Sequence, residues 1–287
     1  MQELVSVIIT THNREDLLER AIRSVIAQDY LAIELIVIDD FSNEKTSMLI
    51  DSLRDECEQR FIRFVYQRNA INSGSNFSRN CGYALSQGKF VTGLDDDDYF
   101  LPERISLLVS RYNDKYAFVC DTLTRLDKDR EHAKNIDTYR VIGLQDILCE
   151  NVVGNQVLTT REKLMAVGCF SLEIKQQQDR DVWIKLIAKF GPGLKYPFST
   201  QMVDAEHSDN RITKQIKKYT SYRKLYFKFR DLMSEETKSN NLFQLMSFRG
   251  MSAVKMNSLL FRKKKNMKLR LKLIRRSLME FLKKEGG

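Results

Sequence analysis

Gly88-Lys-Phe-Val-Thr-Gly-Leu-Asp-Asp-Asp-Asp98 decides how this chain is read. The approach to the carboxylates is apolar and β-prone, and it reads as a buried strand. Four carboxylates at the tip of such a strand repel one another in the absence of a cation. Oxygen-only ligands suit a hard divalent ion, Mg2+ or Mn2+. Mg2+ is typically held by one or two carboxylates plus phosphate oxygens, so the run points to a phosphate-bearing substrate. A solvated acidic loop is the competing reading that a charge run by itself allows.

The residues before this run favour the first reading. Leu4–Thr10 is a nearly continuous β-branched stretch, as suits a strand buried on both faces of a parallel sheet. Asp16–Gln28 carries Leu17, Leu18, Ala21, Ile22, Val25 and Ile26 at helical spacing. Glu34–Asp39 is a second strand, Thr46–Arg60 a helix, Phe61–Gln67 a third strand, Asn76–Gln87 a helix and Lys89–Leu94 the fourth strand. This alternation predicts a doubly wound α/β sheet. Ligands of such sheets bind beyond the carboxyl ends of the strands. Thr10–Arg14, Asp39–Asn43 and Asp95–Asp98 all fall there, on one rim. Downstream, the pattern predicts a helix over Glu103–Tyr112, strands over Tyr116–Cys120 and Asn155–Arg161, a short helix over Glu162–Val167 and a helix over Asp179–Phe190. Asp127–Asp137 is charged and aperiodic, a hairpin tip or mobile loop.

Composition narrows the class. At 287 residues the chain suffices for one large domain, or for a domain with an appendage. Five scattered cysteines without Cys-X-X-Cys spacing argue for reduced thiols in a cytoplasmic setting and against zinc. The N-terminus lacks the features of a signal peptide, and no stretch approaches 18 uninterrupted apolar residues. The net charge of +9 is unevenly placed. Residues 211–287 hold 22 Lys or Arg against 5 Asp or Glu, whereas the preceding 210 are acidic, with 25 against 33. This divides the chain into an expected catalytic part, 1–210, and a basic helical extension, 211–287.

Several stretches together resemble the family 2 glycosyltransferases, inverting enzymes of the GT-A fold. Val5-Ser-Val-Ile-Ile-Thr-Thr-His-Asn-Arg14 is similar to their opening strand and loop. Ser24-Val-Ile-Ala-Gln28 resembles the end of their first helix, and Glu34-Leu-Ile-Val-Ile-Asp-Asp-Phe-Ser42 their second strand. Asn72–Asn80 resembles their Asn/Gly-rich stretch, and Leu94–Glu103 their metal-binding Asp-X-Asp region. Gln178-Asp-Arg-Asp-Val-Trp-Ile-Lys-Leu186 resembles the helix that carries the catalytic base. His12 stands where an aromatic is common, Gln178 replaces a Glu, and Cys169 replaces a Gly.

The resemblance implies a mixed α/β sheet flanked by helices and a metal-dependent, inverting sugar transfer from a UDP-sugar. The acceptor is a glycan or a lipid-linked glycan in bacterial surface polysaccharide synthesis: O-antigen, capsule or lipopolysaccharide. Thr10, His12 and Asp40 are expected at the uracil and Arg79 near the uridine or diphosphate. Asp95 is expected at the base or ribose, Asp96 between ribose and metal, and Asp97 on Mn2+ or Mg2+. Asp179 is the expected general base, because an acceptor hydroxyl must lose its proton to a placed carboxylate as it attacks. Asp181 projects about 200° away on a helix and reads as structural.

Each assignment has a plainer alternative. Asp39 or Asp40 suits a helix N-cap and Arg79 a surface charge; Trp183 reads as core against a sugar-site wall, and His207 as a loop histidine against a metal or diphosphate contact. The tail combines Tyr219, Tyr222, Leu225, Tyr226 and Phe229 with many cations, then a basic-apolar stretch over 259–284. Such a pattern suits the anionic inner face of a membrane, or a helical appendage that packs or forms a homo-oligomer. Nucleic acid is disfavoured, because the acidic catalytic part repels phosphate backbones. Two other classes compete with an active transferase. One is a catalytically inactive GT-A module that binds nucleotide sugar or a membrane surface. The other is a nucleotidyltransferase, which would show a Gly-rich phosphate loop that Thr10–Arg14 lacks.

Overall fold

A computed structural model describes residues 2–125, 139–203 and 215–248. The chain divides into two compact units, Met1–Ile212 and Thr213–Gly287. In the first, the elements are β1 (Val5–Thr11), α1 (Glu15–Ile26), β2 (Ile33–Asp39), α2 (Glu44–Arg60), β3 (Arg63–Arg68), α3 (Ser75–Leu85), β4 (Phe90–Asp95), β5 (Asp98–Phe100) and α4 (Arg104–Ser110). There follow β6 (Val119–Cys120), β7 (Leu123–Arg125), β8 (Arg140–Ile142), α5 (Leu144–Cys149), β9 (Thr159–Thr160), α6 (Arg161–Ala166), α7 (Gln178–Phe190), β10 (Gly193–Lys195) and β11 (Gln201–Val203). The second unit holds α8 (Gln215–Phe229) and α9 (Glu235–Ser247), separated by a short 3-10 turn. The 259–284 stretch, His207 and Asp127–Asp137 lie outside the described residues.

The main sheet has the order β3-β2-β1-β4-β9. Its first four strands are parallel and β9 is antiparallel to β4. Every residue of β1 and β2 is buried, as their predominantly apolar runs require in a sheet covered on both faces. β3 is an edge strand, and its outer residues are half-buried or exposed. Two small sheets, β6-β10-β8 and β5-β11-β7, extend the unit. Gly82 lets α3 lie close on the sheet, because a Cβ there would collide with Ile8.

One buried charge sets the start of β4. Glu34 on β2 accepts from Gly88 N–H at 2.9 Å and from Arg63 at 3.0 Å, and Ser6 and Gln87 also donate to it. The turn into β4 is thereby tied to β1 and β2, and β4 delivers Asp95 opposite Thr10 of β1.

Three sequence expectations change. The strand over Tyr116–Cys120 shortens to β6, with Tyr116 donating into a turn from its backbone N–H to Asn113. The strand over Asn155–Arg161 shrinks to β9, because Asn155 and Gln156 turn their amides toward the acidic run. Neither Asp39 nor Asp40 caps α2; the cap is Asn43, whose side chain accepts from Lys45 N–H at 2.8 Å. Asp39 is instead tied inside by Ser42 N–H and the Tyr66 hydroxyl, each at 2.8 Å.

Candidate active site

The carboxyl ends of β1, β2 and β4 open on a cavity of about 400 Å³. Thr10, His12 and Asp40 line one part of it, Asp95, Asp96 and Asp97 another, with Arg14, Arg79 and Gln178 around them. Six expected site residues thus share one lining with Arg79. The strands fix their own termini, and the cavity exists because parallel strands end together.

Asp40 is held by its neighbours. Its carboxylate accepts from Ser73 N–H at 2.8 Å, Gly74 N–H at 2.7 Å and Asn69 Nδ2 at 2.9 Å. Burial opposes its charge, but these donors outweigh burial and keep the carboxyl below its ordinary value. His12 is exposed, and its Nε2 lies 3.1 Å from Asn13 Nδ2 and 3.2 Å from Asn72 Nδ2.

The acidic run splits by orientation. Asp95, Asp97 and Asp98 each bring a carboxylate oxygen within 4.8 Å of the others. An all-oxygen set of this kind suits a hard divalent ion. Asp96 faces another way, accepting from the Thr11 hydroxyl at 2.9 Å and from Arg14 at 3.0 Å. Arg14 also reaches Asp97 at 3.3 Å. Burial raises the Asp96 carboxyl above its ordinary value, against the pull of Arg14. Burial and then the neighbouring Asp95 charge raise Asp98 as well. The sequence reading placed Asp96 beside the metal and gave Asp98 no role; the geometry gathers Asp98 with Asp95 and Asp97.

Arg79 is buried rather than a loose surface charge, and it pairs with Asp95 at 2.7 Å. Burial disfavours its cation, yet the Asp95 and Asp179 charges outweigh that and raise it. Asp179 sits in the first turn of α7, next to Gln178 on the cavity wall, and is itself outside the cavity lining. Desolvation pushes its carboxyl up to about 7, Arg79 pulls it down and Asp95 pushes it further up. A carboxyl near 7 is poised to take a proton at neutral pH. Asp181 is fully buried and pairs with Lys185 at 3.4 Å within the same helix. Trp183 is core: it is 3% exposed, and its indole N–H donates to the Gly154 carbonyl at 3.1 Å.

Sequence reasoning missed the amides that manage this charge. Asn155 Nδ2 donates to Asp95 at 3.1 Å and to Asp98 at 2.9 Å. Gln201 Nε2 donates to Asp98 at 3.0 Å, and Gln156 Nε2 reaches Asp95 at 3.4 Å. A Cβ at Gly93 would collide with the Gln156 amide, so the glycine of β4 makes room for it. No local signal marks these amides, since 60 residues separate Asn155 from Asp95.

Residues 6–171 match the model of the glycosyl transferase family 2. WcaA of Escherichia coli (strain K12), assigned by name to colanic acid biosynthesis as a glycosyl transferase, is 30% identical over 258 residues, 86% of this chain and 88% of its own. WfaP of Escherichia coli, named as a UDP-Glc:alpha-D-GlcNAc-diphosphoundecaprenol beta-1,3-glucosyltransferase, is 24% identical over 70% of this chain and 76% of its own. Among solved structures, Staphylococcus aureus TarS 1-349 in complex with UDP-GlcNAc superposes with a TM-score of 0.62 at 17% identity, covering 97% of this chain and 80% of that one. That likeness concerns the GT-A fold, in which a parallel-dominated sheet ends on the site described above. On the family match and the WcaA likeness together, this chain belongs to the family 2 glycosyltransferases.

Proposed function

We propose that this glycosyltransferase moves a sugar from a UDP-sugar to a lipid-linked glycan acceptor during bacterial surface polysaccharide synthesis, with inversion at the anomeric carbon. The observation that carries the reading is one cavity shared by the β1 and β2 ends and the acidic end of β4, with the α7 carboxyl of Asp179 beside it. The names of WcaA and WfaP support the polysaccharide setting and the lipid-linked acceptor.

In this reading Thr10, His12 and Asp40 receive the uracil end, and Arg79, fixed by Asp95, faces the ribose or diphosphate. Asp97, with Asp95 and Asp98, would hold Mn2+ or Mg2+, which when bound neutralises charge on the leaving diphosphate. Asp96 orders the rim through Thr11 and Arg14. Asp179 takes the proton from the acceptor hydroxyl as that oxygen attacks. A single displacement needs no carboxylate nucleophile, so one base suffices. The second unit, through its basic 259–284 stretch, brings the enzyme to the anionic inner face of the membrane, where the acceptor resides.

A panel of nucleotide sugars tests this directly. Purified protein is incubated with each sugar and Mn2+, and free nucleotide is followed. Slow release of UDP from one or a few UDP-sugars, accelerated by a polyprenyl-diphosphate-linked glycan, is the expected result. Release of pyrophosphate, or binding of UDP-sugar without turnover under any acceptor, overturns the transferase mechanism as written.

A further inference from the structure

A second cavity, of about 350 Å³, lies on the β6-β10-β8 sheet. Tyr139, Arg140, Val152, Lys195 and Tyr196 are among its lining, and no acidic side chain is, among the described residues. Arg140 of β8 stands directly opposite Lys195 of β10 in the antiparallel register. Directly opposed like charges destabilise a ladder, because their Cβ atoms stand about 5 Å apart. Among the described residues Arg140 has one ion pair, an exposed one with Asp146 at 3.0 Å. Lys195 donates to the Val152 carbonyl at 2.8 Å and to that of Val153 at 3.4 Å. It pairs with no carboxylate among the described residues. Its charge is half-buried.

Beside the cations lies an aromatic surface. The rings of Tyr139 and Tyr196 are 5.7 Å apart, and Tyr196 stacks on Phe198 at 5.5 Å. Arg111 covers the same pair, 5.6 Å from Tyr196 and 5.5 Å from Phe198. Tyr139 is half exposed at 52%, so its ring is offered outward. Planar rings with polar tips beside a guanidinium and an ammonium suit a ligand that is part apolar face and part anion.

We infer that this cavity is a binding subsite for an acidic saccharide, a sugar unit bearing a carboxylate or phosphate. The sugar face rests on Tyr139, which the buried Tyr196 backs, and the anion bridges Arg140 and Lys195. The segment anchored by Lys195 leads into the catalytic cluster. From Val152 to Asn155 the chain spans at most about 11 Å, and Asn155 holds Asp95 and Asp98. An extended acceptor can therefore reach both places. This rests on the glycosyl-transfer reading above and specifies the acceptor as anionic.

The test is calorimetric titration of the full chain with tetragalacturonate, with neutral maltotetraose and with inorganic pyrophosphate, and UDP binding measured in parallel. Tetragalacturonate should bind saturably, and Arg140→Gln or Tyr139→Ala should weaken it at least fivefold. Maltotetraose should show no saturable binding, and both variants should bind UDP as the parent does. Undiminished tetragalacturonate binding in both variants overturns the proposal. So does the absence of tetragalacturonate binding by a protein that still binds UDP. If pyrophosphate binds as tightly and Tyr139→Ala weakens neither ligand, the site takes a bare diphosphate anion and the saccharide assignment is overturned. Loss of UDP binding in the parent protein would count against the donor assignment alone.

Discussion

The Asn155 amide lies 2.9 Å from the Asp98 carboxylate, and the same nitrogen reaches Asp95 at 3.1 Å. One neutral donor thus ties together two carboxylates that would otherwise repel. Both belong to the trio whose oxygens converge within 4.8 Å. Asn155→Leu keeps the approximate volume and removes the donor. It should weaken Mn2+ binding by roughly 10- to 100-fold, as expected for a group that orients metal-binding carboxylates. Titration of Mn2+ followed by electron paramagnetic resonance, with UDP affinity measured in EDTA as a control, checks this. An unchanged Mn2+ affinity would remove Asn155 from the site.

Asp97 is buried and shares in the convergent trio. Asp97→Asn should lower turnover at least about 100-fold, because the developing charge on the diphosphate loses its counter-charge. Chelation with EDTA should silence the parent enzyme, and Mn2+ or Mg2+ should restore it. Activity that survives rigorous chelation would refute a metal-dependent mechanism.

Asp179 and Asp181 separate chemistry from packing. Asp179→Asn should bind UDP-sugar normally and lose transfer, whereas Asp181→Asn should lower thermal stability and transfer sugar when folded. Because burial raises the Asp179 carboxyl to about 7, the transfer rate should fall as pH drops below that value. Linkage gives a second sign. The folded carboxyl binds its proton more tightly than the unfolded one, so its contribution favours the fold at low pH. That contribution is lost as pH rises from the unfolded value of about 4 toward 7. Measured in EDTA, the stability of Asp179→Asn relative to the parent should therefore increase between pH 4 and pH 8. A flat difference across that window would show that Asp179 is not desolvated.

The basic tail bears on location. Truncation after residue 258 removes the densest basic-apolar stretch. Nucleotide-sugar hydrolysis should persist, and binding to vesicles containing anionic lipid should fall. In the full chain that binding should weaken with added salt, since part of it is screened Coulomb attraction. If the full chain ignores anionic vesicles at low salt, the membrane assignment fails and an acceptor-binding or oligomeric role replaces it.

The sequence by itself determined the parallel core and its rim. The runs Val5–Thr11 and Ile33–Asp39 are buried throughout and mostly apolar, with Val5, Val7, Ile8, Ile9, Ile33, Leu35, Ile36, Val37 and Ile38 filling both faces of the sheet, and that is a local pattern. Each rim residue directly ends or follows β1, β2 or β4, so Thr10, Asp40 and Asp95 were legible with them. The orientation within the acidic run was not. Whether Asp96 or Asp98 joins Asp95 and Asp97 depends on Thr11 and Arg14 drawing one aside, and on Asn155 and Gln201 holding the other. Those partners come from far along the chain, and an amide carries no periodicity to betray its target. The raised carboxyl of Asp179 is likewise a tertiary property. Its proton affinity follows from burial and from the Arg79 and Asp95 charges brought beside it by folding. Short-range patterning decides which segments become strands, whereas desolvation and charge pairing depend on what the fold sets next to each side chain.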